Sequence, residues 1–243
     1  MTRLGSLAFL LLLPGGPAAA ASINYGDFDD IPPGTVMFLG VTEGSGTDPV
    51  PLFGSPLVLG NMLDFDPSGF AASTGGGGAD ITDGQLNFQV MSIPGSSIDQ
   101  ITIDESGDFS LFGAGTAATQ VAFGLFMQLT ILEVDGALIS PFDVIVSAEG
   151  SFDLVTNPGL SQPWDLSLMA DLDQELIDEG IAFELGVTKA DVVLDDTLIA
   201  ISEAASAAFI AKKAFRIAVV PEPATLILGL LGVLLAVRSR NRR

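Results

Sequence analysis

An all-β fold, an antiparallel two-sheet sandwich with jelly-roll-like connectivity, is what this sequence predicts, and three observations predict it. Apolar and polar residues alternate over long tracts of a chain that is 48% hydrophobic and only 16% charged, the period-two signature of strands with one face in a core. Turn dipeptides containing glycine punctuate those tracts. The 243 residues show no internal repeat, which argues against a propeller or β-helix.

Taken in order, Leu86, Phe88 and Val90 alternate with Asn87 and Gln89, and Ile101 and Ile103 flank Thr102. From Val121 the odd positions read Val121, Phe123, Leu125, Met127, Leu129 and Ile131. Phe152 with Leu154, Trp164 with Leu166 and Leu168, Phe183 with Leu185 and Val187, and Phe215 with Ile217 and Val219 continue the pattern. These read as about ten short strands. Hairpin turns are expected at Asp83-Gly84, Ser106-Gly107 and Asp135-Gly136, with a fourth at Glu149-Gly150, because Asp-Gly supplies the positive φ angles of a tight antiparallel turn. Glycines 75–78 read as a floppy surface loop, not a phosphate loop, since no Lys-Ser/Thr pair follows them. Residues 171–179 begin on a capping aspartate and stop at Gly180, so one or two helical turns are expected there. Residues 202–213 have good helix propensity but run into the alternation from Phe215, and they are read as loop and strand. Trp164, the sole tryptophan, reads as core rather than as a sugar-stacking platform.

The two ends read as addresses. Met1-Thr2-Arg3, an apolar stretch over 4–13, Pro14-Gly15-Gly16-Pro17 and a run of alanines form a signal peptide over 1–21, removed by signal peptidase near Ala21. At the other end, over 221–243, stand Pro221-Glu222-Pro223, an uncharged stretch over 224–237, and Arg238, Arg240, Arg242 and Arg243. As a helix that stretch spans about 21 Å against a hydrocarbon thickness of about 30 Å, a short crossing. The arginines favour the cytoplasmic side and leave the rest of the chain outside. A glycolipid-anchor signal would end on apolar residues instead. Between the ends, 22–220 reads as one domain.

Pro221-Glu222-Pro223, the apolar segment and the terminal arginine cluster, in that order behind a leader, resemble the PEP-CTERM sorting signal of Gram-negative bacteria. That resemblance implies exosortase as the processing partner, transient anchoring in the inner membrane, cleavage near Pro221-Glu222-Pro223 and passage to the envelope or extracellular matrix. It also implies an association with exopolysaccharide and biofilm. In the body, Asn24-Tyr25-Gly26-Asp27-Phe28, Leu39-Gly40-Val41-Thr42-Glu43, Pro51-Leu52-Phe53-Gly54 and Ala79 through Leu86 are similar to a recurring set of PEP-CTERM proteins whose bodies have no assigned activity.

Composition narrows the chemistry. Thirty acidic against nine basic side chains give a net charge of −21, which excludes a nucleic-acid partner held by Lys and Arg. Within 22–220 the only basic residues are Lys189, Lys212, Lys213 and Arg216, so most carboxylates face water, cations or a partner. With no His and no Cys there is no disulfide, thiolate or imidazole metal site, and no Ser-His-Asp or Cys-His catalysis. Carboxylates are the strong catalytic groups left, and no spacing among the glutamates singles out the pair a glycosidase needs. A non-enzymatic protein without a cofactor is therefore expected. The alternatives are a carbohydrate-active enzyme using paired carboxylates, and a calcium-dependent adhesin. Asp27, Asp29 and Asp30 ahead of Pro32 form the candidate hard-oxygen calcium site, and a solvated turn explains them equally well. Asp171-Leu172-Asp173-Gln174-Glu175 begins like an EF-hand, but Leu176 and Ala182 stand where Gly and Glu are required.

Overall fold

Alternation over 121–131 folds as the pattern demands. Val121, Leu125, Met127, Leu129 and Ile131 are almost wholly buried, while Gly124, Phe126, Gln128 and Thr130 face outward. The computed structural model describes residues 21–29 and 34–221. Its elements are β1 (Ala21–Phe28), β2 (Val36–Ser45), β3 (Leu57–Val58), β4 (Met62–Phe65), β5 (Ala71–Gly75), β6 (Gly78–Ser92), β7 (Gln100–Ala114), β8 (Gln120–Val134), β9 (Ala137–Asp153), β10 (Gly159–Asp171), α1 (Leu172–Asp178), β11 (Val187–Ser202) and β12 (Ala205–Val220). One sheet has the order β1-β2-β6-β11-β8-β9; the other runs β10-β7-β12-β4-β3, with β5 also paired to β12. Every pairing is antiparallel. From β6 onward the chain changes sheet at almost every connection, β8 to β9 excepted, which is the jelly-roll habit. Among the described residues no helix is long and apolar enough to cross a membrane.

The strands are longer than expected, and glycine explains why. Of the four expected turns, Asp135-Gly136 alone makes a hairpin turn, with φ of 54° and 75° between β8 and β9. Asp83-Gly84, Ser106-Gly107 and Glu149-Gly150 lie inside β6, β7 and β9, correcting three of the four expected turns. Their glycines clear space for side chains and backbone instead of bending the chain. A Cβ on Gly84 would stand 2.6 Å from the Phe70 ring and 2.9 Å from that of Phe53. On Gly107 it would stand 1.9 Å from the Ala211 carbonyl oxygen and 2.8 Å from Trp164 Nε1, and on Gly150 2.3 Å from the Phe123 ring. With those breaks removed, β6, β7 and β8 run 15 residues each and β9 runs 17. Glycines 75–78 also differ from the floppy loop expected. Gly76 and Gly77 form a two-residue link from β5 to β6, and their N–H groups donate to the Ser206 carbonyl and the Ser202 hydroxyl at 3.0 and 3.3 Å.

The core lies between the sheets. Phe53 meets Phe65, Phe70 and Phe215 edge-to-face at centroid distances of 6.0, 4.9 and 5.0 Å, and burial of one such ring stabilises by about 1.5–3 kcal/mol. At the other end Phe109 stacks on Phe152 at 4.2 Å, and Trp164 stacks on Phe123 at 4.5 Å. Trp164 is 3% exposed and donates its Nε1–H to the Ala211 carbonyl at 3.2 Å, a core residue as expected. α1 also forms as expected. Asp171 caps it by accepting from the Gln174 N–H at 3.1 Å, Leu172 and Leu176 bury its inner side, and Gly180 at φ 69° follows. Residues 205–213 are strand, the first half of β12.

Candidate functional site

The outer face of the six-stranded sheet carries registered rows of polar side chains. Strand pairing aligns Gln85 on β6, Asp195 on β11, Phe126 on β8 and Ser147 on β9 in one row. The next row is Asp83, Thr197, Gly124 and Glu149. On the other side lie Asn87, Val193, Gln128 and Ile145, then Gln89, Asp191, Thr130 and Asp143. Alternation puts them there: each neighbour along the strand points into the core. Cross-strand hydrogen bonds tie the rows together. Thr197 Oγ1 donates to Asp83 Oδ1 at 2.8 Å, Gln89 Nε2 to Asp191 Oδ1 at 2.7 Å, and Thr130 Oγ1 to Asp143 Oδ1 at 2.7 Å.

A shallow groove runs across these rows. Two overlapping hollows of about 490 and 590 Å³ share Gly124, Glu149 and Thr197. A third, about 340 Å³, joins the first at Asp195 and continues past Asp83, Gln85 and Asn87 to Thr42 and Ser22. Gly124 supplies depth, because no side chain stands between Thr197 and Glu149 in that row. Phe126, 37% exposed, offers a ring in the groove wall. Burial first, then the charge and hydrogen bond of Asp83, push the Asp195 carboxyl above the usual carboxylate range. The face therefore combines a carboxyl held above its usual range, further carboxylates, amides, hydroxyls and one accessible ring. Such a set exchanges hydrogen bonds with a neutral polyhydroxylated ligand and repels a polyanion.

Two groups of charged residues lie off this face and were not singled out in the sequence. Glu43 on β2 is buried and accepts from the Tyr25 hydroxyl at 2.6 Å, from the Phe53 and Gly54 N–H groups at 3.1 Å each, and from the Leu52 N–H. Burial, together with the Glu43 hydrogen bond and charge, pushes the Tyr25 phenol up. Between the sheets, Lys212 on β12 contacts Glu105 on β7 and Asp196 on β11, with all three side chains at 0% exposure. The signal for both groups was parity. Glu43 is in phase with buried Val41, Glu105 with Ile101 and Ile103, Asp196 with Leu194 and Leu198, and Lys212 with Ala208 and Ile210.

Of the residues singled out for calcium, Asp27 on β1 is exposed and its Oδ1 accepts from the Gly40 N–H at 2.7 Å. Asp29 is exposed just beyond β1, and Asp30 lies outside the described residues. Among the described residues no three carboxylates gather as a metal-holding group. Pro221 directly follows β12, while residues 1–20 and Glu222, Pro223, Arg238, Arg240, Arg242 and Arg243 lie outside the described residues.

No family model and no curated protein matches this chain. Among solved structures, it is similar to a loop-swap mutant of Neocallimastix patriciarum Xyn11A at a TM-score of 0.28 and 8% identity, over 83% of this chain and 100% of that one. TmCBM61 in complex with β-1,4-galactotriose matches at a TM-score of 0.20 and 8% identity, over 83% and 90% of the two chains. The family 11 xylanase from Neocallimastix patriciarum matches at 0.20 and 8%, over 84% and 98%. Similarity at this level reaches no further than β architecture.

Proposed function

We propose that this chain is a non-enzymatic protein of the cell envelope or extracellular matrix. In this reading it is exported behind residues 1–21, processed by exosortase at Pro221-Glu222-Pro223, and lies against exopolysaccharide through the outer face of its six-stranded sheet. The observation that supports contact with polysaccharide is the row structure of that face: Gln85, Asp195, Phe126 and Ser147 beside Asp83, Thr197, Gly124 and Glu149. These rows contain acceptors, amides and a ring but no Lys or Arg, so the polymer they suit is neutral. Retention of the purified protein on neutral polysaccharide beads tests this. Phe126→Ala should abolish retention, and equal retention of wild type and variant would refute the assignment. Export and sorting are tested by the mass of the protein isolated from its host, which should lack both ends. Glu222→Ala should keep its tail, and an unchanged mature mass in that variant would remove exosortase from the account.

One observation favours a second reading, a carbohydrate-active enzyme. Glu149 and Asp195 line the same groove, and Asp195 is the carboxyl held above its usual range, the property of a general acid. Their strands are separated by β8, which places the backbones roughly 10 Å apart across the sheet. Release of reducing ends by the wild-type protein, absent in Glu149→Gln, would establish it; binding without release supports the first reading.

A further inference from the structure

Three ionisable side chains are sealed between the two sheets. Lys212 Nζ touches a carboxylate oxygen of Glu105 from the neighbouring strand of its own sheet and one of Asp196 from the facing sheet. Aromatic rings wall the ammonium: the centroids of Phe70, Phe215 and Phe53 stand 4.7, 4.8 and 5.6 Å from Nζ. Gly84, the register partner of Asp196, leaves room for Phe53 and Phe70 to approach.

As an ion cluster this is poorly satisfied. It holds one cation and two anions, and the second oxygens of both carboxylates, Glu105 Oε1 and Asp196 Oδ1, are buried without a hydrogen-bond partner. Desolvation of such a cluster opposes folding unless the remaining lone pairs find donors. A body with only four basic residues has nonetheless placed one of them where an apolar side chain would pack. The same features suit a condensation. The amine is shielded from water, it touches a carboxylate oxygen of Asp196, and a second carboxylate lies within reach to carry protons. Burial brings Lys212 down to about 8, against the pull of Glu105, so the free amine is accessible near neutral pH.

We propose that Lys212 and Asp196 join in an intramolecular isopeptide bond, with Glu105 as the proton carrier. A proton passes from the ammonium to the Asp196 carboxylate, leaving a neutral amine beside a neutral acid. Nζ attacks Asp196 Cγ and forms the C–N bond, while Glu105 takes a proton from the nitrogen. Glu105 then returns that proton to the departing hydroxyl, the C–O bond breaks, and one water leaves. Neither oxidant nor energy carrier enters the balance. Glu105 takes the relay role because its longer side chain can swing between Nζ and the leaving oxygen, whereas the short Asp196 side chain is held by its strand. The product is a neutral amide tying β11 to β12, and so one sheet to the other. The site is then left with one titratable group instead of three.

Tryptic mapping of the purified full-length protein tests this. Trypsin cuts after Lys189, Lys212 and Lys213. The bond would protect Lys212, so the map should contain residues 190–213 as one peptide, a water lighter than its sequence. That peptide should yield no fragment ions from cleavage between Asp196 and Lys212. Glu105→Gln, which keeps the shape but not the base, should restore the cut at Lys212 and the full mass. Lys212→Met should do away with the mass deficit and lower the melting temperature. A wild-type map showing cleavage after Lys212 at full mass overturns the proposal, whatever the variants do. So does a water loss confined to the Asp196-Thr197 step, or a link from Lys212 to Glu105.

Discussion

Asp195 and Asp196 are neighbours on β11 with the same side chain and opposite fates. Asp195 faces the groove beside Asp83, partly open to water, while Asp196 faces the core with Lys212, Glu105 and a wall of phenylalanine rings. A strand turns successive side chains to opposite faces, so one residue of offset decides whether a carboxylate is a surface acceptor or a buried reactant. Outside, water and salt screen each charge and the cost of a misplaced one is small. Inside, each charge depends on its partners.

Removing a partner inside should therefore have the largest effect. Lys212→Ala strands two carboxylates in the core and leaves the proposed cross-link to Asp196 unformed, so urea unfolding should register a loss of at least about 3 kcal/mol; a loss below about 1 kcal/mol would mean that the interior is wetter than described. Next comes Glu43→Ala, which leaves the Tyr25 hydroxyl and the Leu52, Phe53 and Gly54 N–H groups without their acceptor. The expected loss is about 1–3 kcal/mol, measured in the same way. Phe126→Ala on the outer face should stay within about 0.5 kcal/mol of wild type while losing polysaccharide retention, and a folding defect there would blur the distinction between the faces.

The smallest effect is a pH dependence. The Asp195 carboxyl lies above its unfolded value, so the folded state holds that proton more tightly. The resulting stability is fully present below the unfolded carboxylate range and is lost as pH rises through the raised folded value. Asp195→Asn should flatten that part of the stability-pH curve and melt slightly higher than wild type at neutral pH. Asp135 has the opposite sign. Slight burial pushes its carboxyl up, but the Gly186, Leu185 and Glu184 N–H groups outweigh it and hold it low. Its contribution is present above the ordinary carboxylate range and fades as pH falls through the lowered value. Melting curves from acid to neutral pH on Asp195→Asn and Asp135→Asn should therefore deviate from wild type in opposite directions.

Legibility followed the reach of each interaction. β8, α1 and the Asp135-Gly136 turn were readable because alternation, capping and the turn's φ angles are local. Trp164 was readable as core from its place in an alternating run. Gly84, Gly107 and Gly150 were misread as turns because the Phe53, Phe70, Trp164 and Phe123 groups that require them arrive from elsewhere in the chain. The groove was invisible for the same reason, since Asp83, Asp195, Phe126 and Glu149 meet only through the β6-β11-β8-β9 order. Glu105, Asp196 and Lys212 each stood at a core-facing position, a visible anomaly whose resolution needed the other two.

By itself the sequence determined the strand faces, the sandwich class, the acidity that argues against a nucleic-acid partner, and the expectation of export. Those follow from periodicity, composition and end signals, all of which act over a few residues or by simple summation. Tertiary structure alone decided which carboxylates share a groove and which share a lysine, because strand order and sheet packing bring together residues far apart in the chain. Burial then sets whether those residues behave as solvated charges or as reacting groups.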